Sequence, residues 1–196
     1  MPAPVLPIPL SGRFVRLEPL TEAHRPGLEA AGADARIWSW MPLPAGGLPA
    51  YLEAAFAAAR PDVHVPFTVT RVGDGAILGM TRLFDIRPAD AGLEIGHTWY
   101  APDVWAGPIN AESKRLLLAY AFDTCGYERV QLKTDLRNTR SQSAIARLGA
   151  RREGVLRRHM RLNDGYLRST VMFSILREEW PEVRAGLDAR LAAYAG

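Results

Sequence analysis

Between residues 65 and 135 the chain changes how it joins its strands, and that change limits the folds open to it. Residues 65–72 and 76–84 are β-rich runs joined by Gly73-Asp74-Gly75, a hairpin signal because glycine tolerates positive φ. A third run, 93–100, follows after a short loop. The pattern then turns to crossovers: a helix over 110–124, a strand over 129–135 and a helix over 141–148. Hairpins leading into crossovers predict a mixed sheet flanked by helices in an α+β domain.

The flanks extend this pattern. Residues 13–17 alternate as a short strand, and Thr21 caps a first helix with Glu22 in its first turn. A second helix over about 48–60 places Leu52, Ala55, Phe56 and Ala59 on one face until Pro61 stops it. Two long strands, 151–162 and 166–176, flank the hairpin turn Asn163-Asp164-Gly165. Residues 178–194 form an additional C-terminal helix, with Pro181 in its first turn and Trp180, Val183, Leu187 and Leu191 at helical spacing. The expectation is about seven strands in one domain over 13–196, preceded by an extended proline-rich tail over 1–12.

Composition narrows the function. An apolar content of 48% over 196 residues can build one sizeable core. No run approaches the roughly 18 apolar residues of a membrane span, and no membrane partner is expected. The single Cys125 allows no internal disulfide and no Cys-rich metal site, which fits a reducing cytosol. Beside Gly126 it reads as a small buried residue at a helix end; a nucleophilic role would need a neighbouring base or cation. Net charge is only +3, yet ten Arg or Lys face Asp135 and Glu153 alone between 129 and 161. That segment is either a solvated basic face or the partner of an anion, a nucleotide phosphate or a polyanion. No aromatic-interleaved motif accompanies it, so no nucleic acid is expected.

Two stretches can carry chemistry. The loop Trp105-Ala106-Gly107-Pro108-Ile109-Asn110 runs from a strand end into a helix, with Asn110 as cap and Glu112 in the first turn. Free N–H groups at a helix start suit an anion, while the same loop without a ligand is an ordinary capped turn. Asn138 and Ser141 stand as cap and first-turn partner of the next helix, whose apolar stripe is Ala144, Ile145 and Leu148.

Taken together, in this order and about thirty residues apart, these stretches resemble the GCN5-related N-acetyltransferase (GNAT) superfamily. The likeness is to its branch of ribosomal-protein N-terminal acetyltransferases, the RimJ/RimL-like proteins. Further matches are Leu93-Glu94-Ile95-Gly96-His97-Thr98-Trp99, Arg147-Leu148-Gly149-Ala150, Glu153-Gly154-Val155-Leu156-Arg157 and Asp164-Gly165 with Arg168 beyond. The resemblance implies a sheet splayed into a V between the strand ending at Tyr100 and the strand over 129–135, holding acetyl-CoA as co-substrate, with no metal. Trp99 and Tyr100 would meet the pantetheine arm. Trp105, Ala106, Gly107, Ile109 and Asn110 would hold the pyrophosphate, chiefly through main-chain N–H groups, of which Pro108 has none. Asn138, Arg140, Ser141 and Arg147 would supply the opposite wall.

The implied reaction moves the acetyl group directly to an amine, a protein N-terminus or a small molecule, in a ternary complex. A backbone N–H of the strand over 94–99, bulged in the family, would polarise the thioester, and Ser141 would protonate the departing thiolate. The base stays open. Some relatives carry Glu where Met160 stands here, which leaves Glu94, His97 and His159 as candidates. By strict alternation Glu94 shares a face with Thr98, and His97 with Ile95 and Trp99, unless a bulge intervenes. Trp38 and Trp40 would wall the acceptor pocket, with Arg82, Glu94 and Arg168 reading a charged acceptor. Relatives also imply a homodimer. The competing reading is a non-catalytic acyl-CoA-binding or sensing module of the same fold.

Overall fold

In the computed structural model, which describes residues 1–194, eight strands form one sheet. They are β1 (Leu10–Ser11), β2 (Val15–Pro19), β3 (His64–Arg71), β4 (Ile77–Arg87), β5 (Gly92–Tyr100), β6 (Arg129–Asp135), β7 (Arg151–Arg161) and β8 (Leu167–Leu176). Their spatial order is β1-β2-β3-β4-β5-β6-β8-β7. Every neighbouring pair is antiparallel except β5–β6, which is parallel because helix α3 (Ile109–Ala119) carries the chain back across the sheet. The strand beyond the expected seven is β1, whose two residues pair with Leu17 and Arg16.

The sheet separates two cores. Helices α1 (Arg25–Ala31) and α2 (Gly47–Ala58) bury Leu28, Tyr51, Leu52 and Ala55 against Met80 and Trp99 on one face. Helices α3, α4 (Thr139–Ala146) and α5 (Trp180–Ala192) bury a larger set, including Leu117, Ile145 and Leu187, against Leu83, Ile95, Val130 and Phe173 on the other. Residues 1–12 are extended but tied to the body: Val5 is fully buried, the Ala3 N–H donates to the Cys125 carbonyl, and the Leu6 N–H donates to the Tyr120 hydroxyl.

Element ends differ from expectation for local reasons. After Thr21 the chain first makes a tight turn, Glu22–His24, and the regular helix waits for Pro26, whose fixed φ suits a first turn. The long helix after Pro108 stops being α-helical at Ala119 and widens into a π-type turn, Tyr120–Thr124. Cys125 is buried behind that turn, and Gly126 follows with φ +75°. The last helix begins at Trp180, after a tight turn Arg177–Glu179.

Candidate active site

β5 and β6 pair at Gly92↔Arg129, Leu93↔Val130 and Glu94↔Gln131 and then part. Beyond Gln131, β6 stays bonded to β8 as far as Asp135↔Thr170, while β5 stays bonded to β4 as far as Tyr100↔Gly79. The sheet therefore opens into a V with an unpaired backbone edge on each arm. An edge of this kind can bond an extended ligand that carries its own amides.

Inside the V, β5 has one residue more than β4: Met80 pairs with Trp99 and Arg82 with Gly96, and His97 takes φ +48°. This bulge overturns strict alternation. Thr98 joins Thr81 on the α3 side, their hydroxyls 2.8 Å apart. Glu94, which pairs with Phe84, and His97, which packs edge-on against it at 5.0 Å between ring centroids, share the α1/α2 side with Arg82 and Trp99. Strand pairing carries this face across the sheet to Gln131, Lys133 and Asp135, and onward to Arg168 and Thr170 of β8. His159 reaches it through Nδ1, 3.1 Å from the Thr170 hydroxyl. The three base candidates thus lie on one face.

Their environments separate them. Glu94 is 1% exposed, and its Oε2 accepts from Gln131 Nε2 and Lys133 Nζ, each at 2.9 Å. Burial pushes its carboxyl above the ordinary range, with Lys133 opposing only in part. His97 is open to the cleft on one side but packed by Phe84, Tyr51 and His64, and desolvation together with Arg82, His64, Lys133 and Arg168 pushes its imidazole down to about 3. Burial and Arg82 push His64 down to about 4. Near neutral pH the His97 and His64 imidazoles are uncharged and weakly basic, whereas Glu94 is a stronger proton acceptor than a solvated carboxylate.

The outer wall is made by residues far apart in sequence. Arg137 forks onto buried Asp135, with Nη2 to Oδ2 at 2.7 Å, and its guanidinium lies 3.6 Å from the Tyr166 ring centroid and 5.0 Å from that of Trp40. Asn163 Nδ2 donates to the Pro42 carbonyl at 2.7 Å, so the segment after Trp38 meets the β7–β8 hairpin. The two tryptophans differ in placement. Trp40 is half exposed on Arg137, while Trp38 is core: its Nε1 donates to the Gly32 carbonyl, and its ring packs 5.3 Å from those of Tyr51 and Trp99.

At the mouth of the V, α3 starts at Ile109 with Pro108 at the cap position and no side-chain cap. Asn110, expected as the cap, lies within the first turn, because the proline ring holds Pro108 at φ −73°, already helical. The N–H groups of Ile109, Asn110 and Ala111 precede the first intrahelical bond, from the Glu112 N–H to the Pro108 carbonyl. Gly107 does not adopt positive φ, and a Cβ added there meets only the Val104 carbonyl, at 3.4 Å; the left-handed residue of the loop is Ala106, at φ +64°. Trp105 donates to the Tyr100 carbonyl at 2.9 Å, and the Arg140 guanidinium, from α4, lies 3.8 Å from the Trp105 ring centroid. Loop and α4 therefore meet across the mouth. Asn138 caps α4 by accepting the Ser141 N–H at 3.0 Å, which leaves Ser141 half-buried in the first turn. Arg147 stands exposed at the far end of α4 and does not join this group.

Two charges on α3 are buried, Glu112, expected only as a first-turn acid, and Lys114. Glu112 accepts the N–H groups of Arg13, Phe14 and Val15 at 2.6–2.8 Å, which anchors the start of β2 rather than serving the helix dipole. Lys114, 4% exposed, donates to the Thr98 and Thr81 hydroxyls at 2.5 and 3.1 Å beneath the bulge, and burial pushes its ammonium down to about 7. A signal existed: Lys114 stands three and four residues before Leu117 and Leu118, on the apolar stripe. Gln131, Lys133, His64 and Tyr51 left no such signal, because strand register and α2 packing bring them in.

The family model for the acetyltransferase (GNAT) domain matches residues 15–151. A T. thermophilus protein described as an acetyltransferase has a crystal structure that superposes with TM-score 0.85 at 40% identity, covering 95% of this chain and 98% of that one. RimJ of Mycobacterium smegmatis, solved in complex with CoA-disulfide, shares the fold with TM-score 0.81 at 23% identity, over 96% and 97% of the two chains. YdaF of Bacillus subtilis, named as a ribosomal N-acetyltransferase, is 30% identical over 107 residues, which span 55% of this chain and 57% of that protein's length. With its splayed sheet, its bulged β5 and the family model matching most of its length, the chain belongs to the GNAT family of acyl-CoA-dependent N-acetyltransferases.

Proposed function

We propose that this chain transfers the acetyl group of acetyl-CoA directly to an amine in a ternary complex, with Glu94 taking the amine proton and Ser141 protonating the coenzyme thiolate. The observation that carries the reading is the V itself: two unpaired strand edges that part after Glu94 and Gln131, with the β5 bulge between them. The CoA-disulfide bound by the RimJ relative supports a coenzyme on this fold. Its pantetheine amides would bond to the arms, and its pyrophosphate would meet the N–H groups of Ile109, Asn110 and Ala111 at the positive end of α3. Arg140, which now stacks on Trp105, would turn to the phosphates.

With the thioester seated at the bulge, a β5 N–H freed from the ladder polarises its carbonyl, and the amine attacks from the α1/α2 side, where Glu94 lies. Collapse of the tetrahedral species expels the thiolate, which takes a proton relayed through the Ser141 hydroxyl, the serine regaining its own from solvent water. The test is release of free thiol from acetyl-CoA with a panel of small amines and N-terminal peptides. Amine-dependent thiol release is expected; tight coenzyme binding without turnover on any amine would favour the non-catalytic module.

A further inference from the structure

The α1/α2 side of the V holds more positive charge than it neutralises. Lys133 is paired with Glu94, and Arg137 with Asp135. Among the described residues Arg82 has no such partner although it is 4% exposed: its guanidinium is met by His64 Nε2 at 3.3 Å, the Tyr51 ring at 4.9 Å and the Met80 sulfur at 3.6 Å, all uncharged. Among the described residues Arg168 forms no ion pair either: it lies near enough to Asp135 and Glu94 to feel their charge, but Arg137 forks onto Asp135 and Lys133 onto Glu94.

A second observation points the same way. Among the described residues the Tyr51 hydroxyl, Arg82 Nε, Trp99 Nε1 and the Nε and Nη2 of Arg168 are buried without a well-formed hydrogen bond, although the Tyr51 oxygen faces both Arg82 and Trp99. All five can donate, and only the tyrosine oxygen can also accept. Buried donors and an unpaired guanidinium are costly unless something accepts from them and carries opposite charge. The imidazole of His97, depressed chiefly by desolvation, is lowered further by Arg82 and, least of all, by Arg168.

Resting on the acetyl-transfer reading, we propose that the acceptor is an amine bearing a carboxylate, which seats between Arg82 and Arg168 while its amine faces Glu94. A planar carboxylate accepts from a guanidinium fork and from the neighbouring Tyr51 and Trp99 donors, and it cancels the surplus charge. The coenzyme phosphates do not compete for this place, because their donors lie at the mouth of the V on α3 and α4. A free amino acid and a peptide with an acidic N-terminal residue present the same chemistry, the first through its α-carboxylate and the second through its side chain.

The experiment compares matched acceptors, each acid with its carboxamide, as free amino acids and as N-terminal residues of short peptides. Binding to the CoA-saturated protein is read by calorimetry, and acetylation by thiol release. In one arm or the other the acid should bind ~10-fold or more tightly than its amide. Arg82→Met and Arg168→Met should erase that preference without changing acetyl-CoA affinity. Amides bound and acetylated as well as acids in both arms, or a loss in Arg82→Met shared equally by acid and amide, overturns the proposal. Absence of turnover with every amine, alongside preserved acid-selective binding, counts against acetyl transfer and not against this subsite. If a variant fails to fold, the acid–amide comparison on the unmodified protein decides alone.

Discussion

Replacing Lys114 by methionine should stabilise the protein at neutral pH, and by an amount that fades as the solution becomes alkaline. The ammonium lies buried between α3 and the sheet, with two threonine hydroxyls and, among the described residues, no carboxylate bonded to it. Burial moves its pKa from 10.5 to about 7, a preference for the neutral amine worth roughly 5 kcal/mol when the unfolded chain is fully protonated. Methionine fills a similar volume, and Thr81 and Thr98 keep each other as partners at 2.8 Å, so about 2–4 kcal/mol of that should appear as a gain. The sign follows from proton counting. Below about pH 7 both states hold the proton and the unmodified protein carries the full deficit; between about 7 and 10.5 only the unfolded state holds it, so stability rises with pH; above 10.5 the deficit is gone. Urea unfolding of both proteins, followed by tryptophan fluorescence from about pH 6 to about pH 10, should give curves that converge toward alkaline pH. Parallel curves, or a less stable Lys114→Met at neutral pH, would refute a buried, unpaired amine.

Glu94→Gln should lower kcat about 100-fold while leaving acetyl-CoA binding intact, and should remove an acid limb that lies above the usual carboxylate range because Glu94 is held there by burial. The pH profile of kcat/KM in both proteins checks it; an unchanged limb would pass the role to His159 or to water. Ser141→Ala should lower kcat by on the order of 100-fold with an unchanged coenzyme KM, since α4 keeps its Asn138 cap through the backbone N–H of residue 141. Glu112→Ala should cost roughly 3 kcal/mol or more in urea unfolding, because three backbone donors of residues 13–15 lose their acceptor together. Gly12→Ala should destabilise through the same anchor, since its new Cβ would fall on the Glu112 carboxylate.

Much of the fold was legible because it rests on local rules. Turn glycines such as Gly75 and Gly165 take positive φ, and hydrophobic spacing set helices and strands to within a few residues. The failures were also local, yet they came from competing contacts. Leu10 and Ser11 read as tail because two residues carry no periodicity, and their strand exists only as a partner to β2. Asn110 read as a cap because its side chain suits one, but Pro108 had already set the helix start.

What the sequence alone determined was the order of elements and the two stretches that meet at the mouth of the V, since caps, turns and apolar stripes depend on residues close in the chain. Only the tertiary structure decided which side chains share the site. One extra residue in β5 rotates His97 onto the face of Glu94, an inversion that no alternating pattern predicts. Strand register then brings Arg82 of β4 and Arg168 of β8 to the same side, and α2 lays Tyr51 over Arg82. Among the described residues neither forms an ion pair, while Lys133 and Arg137 bridge Glu94 and Asp135, and that allocation exists only once the sheet is assembled.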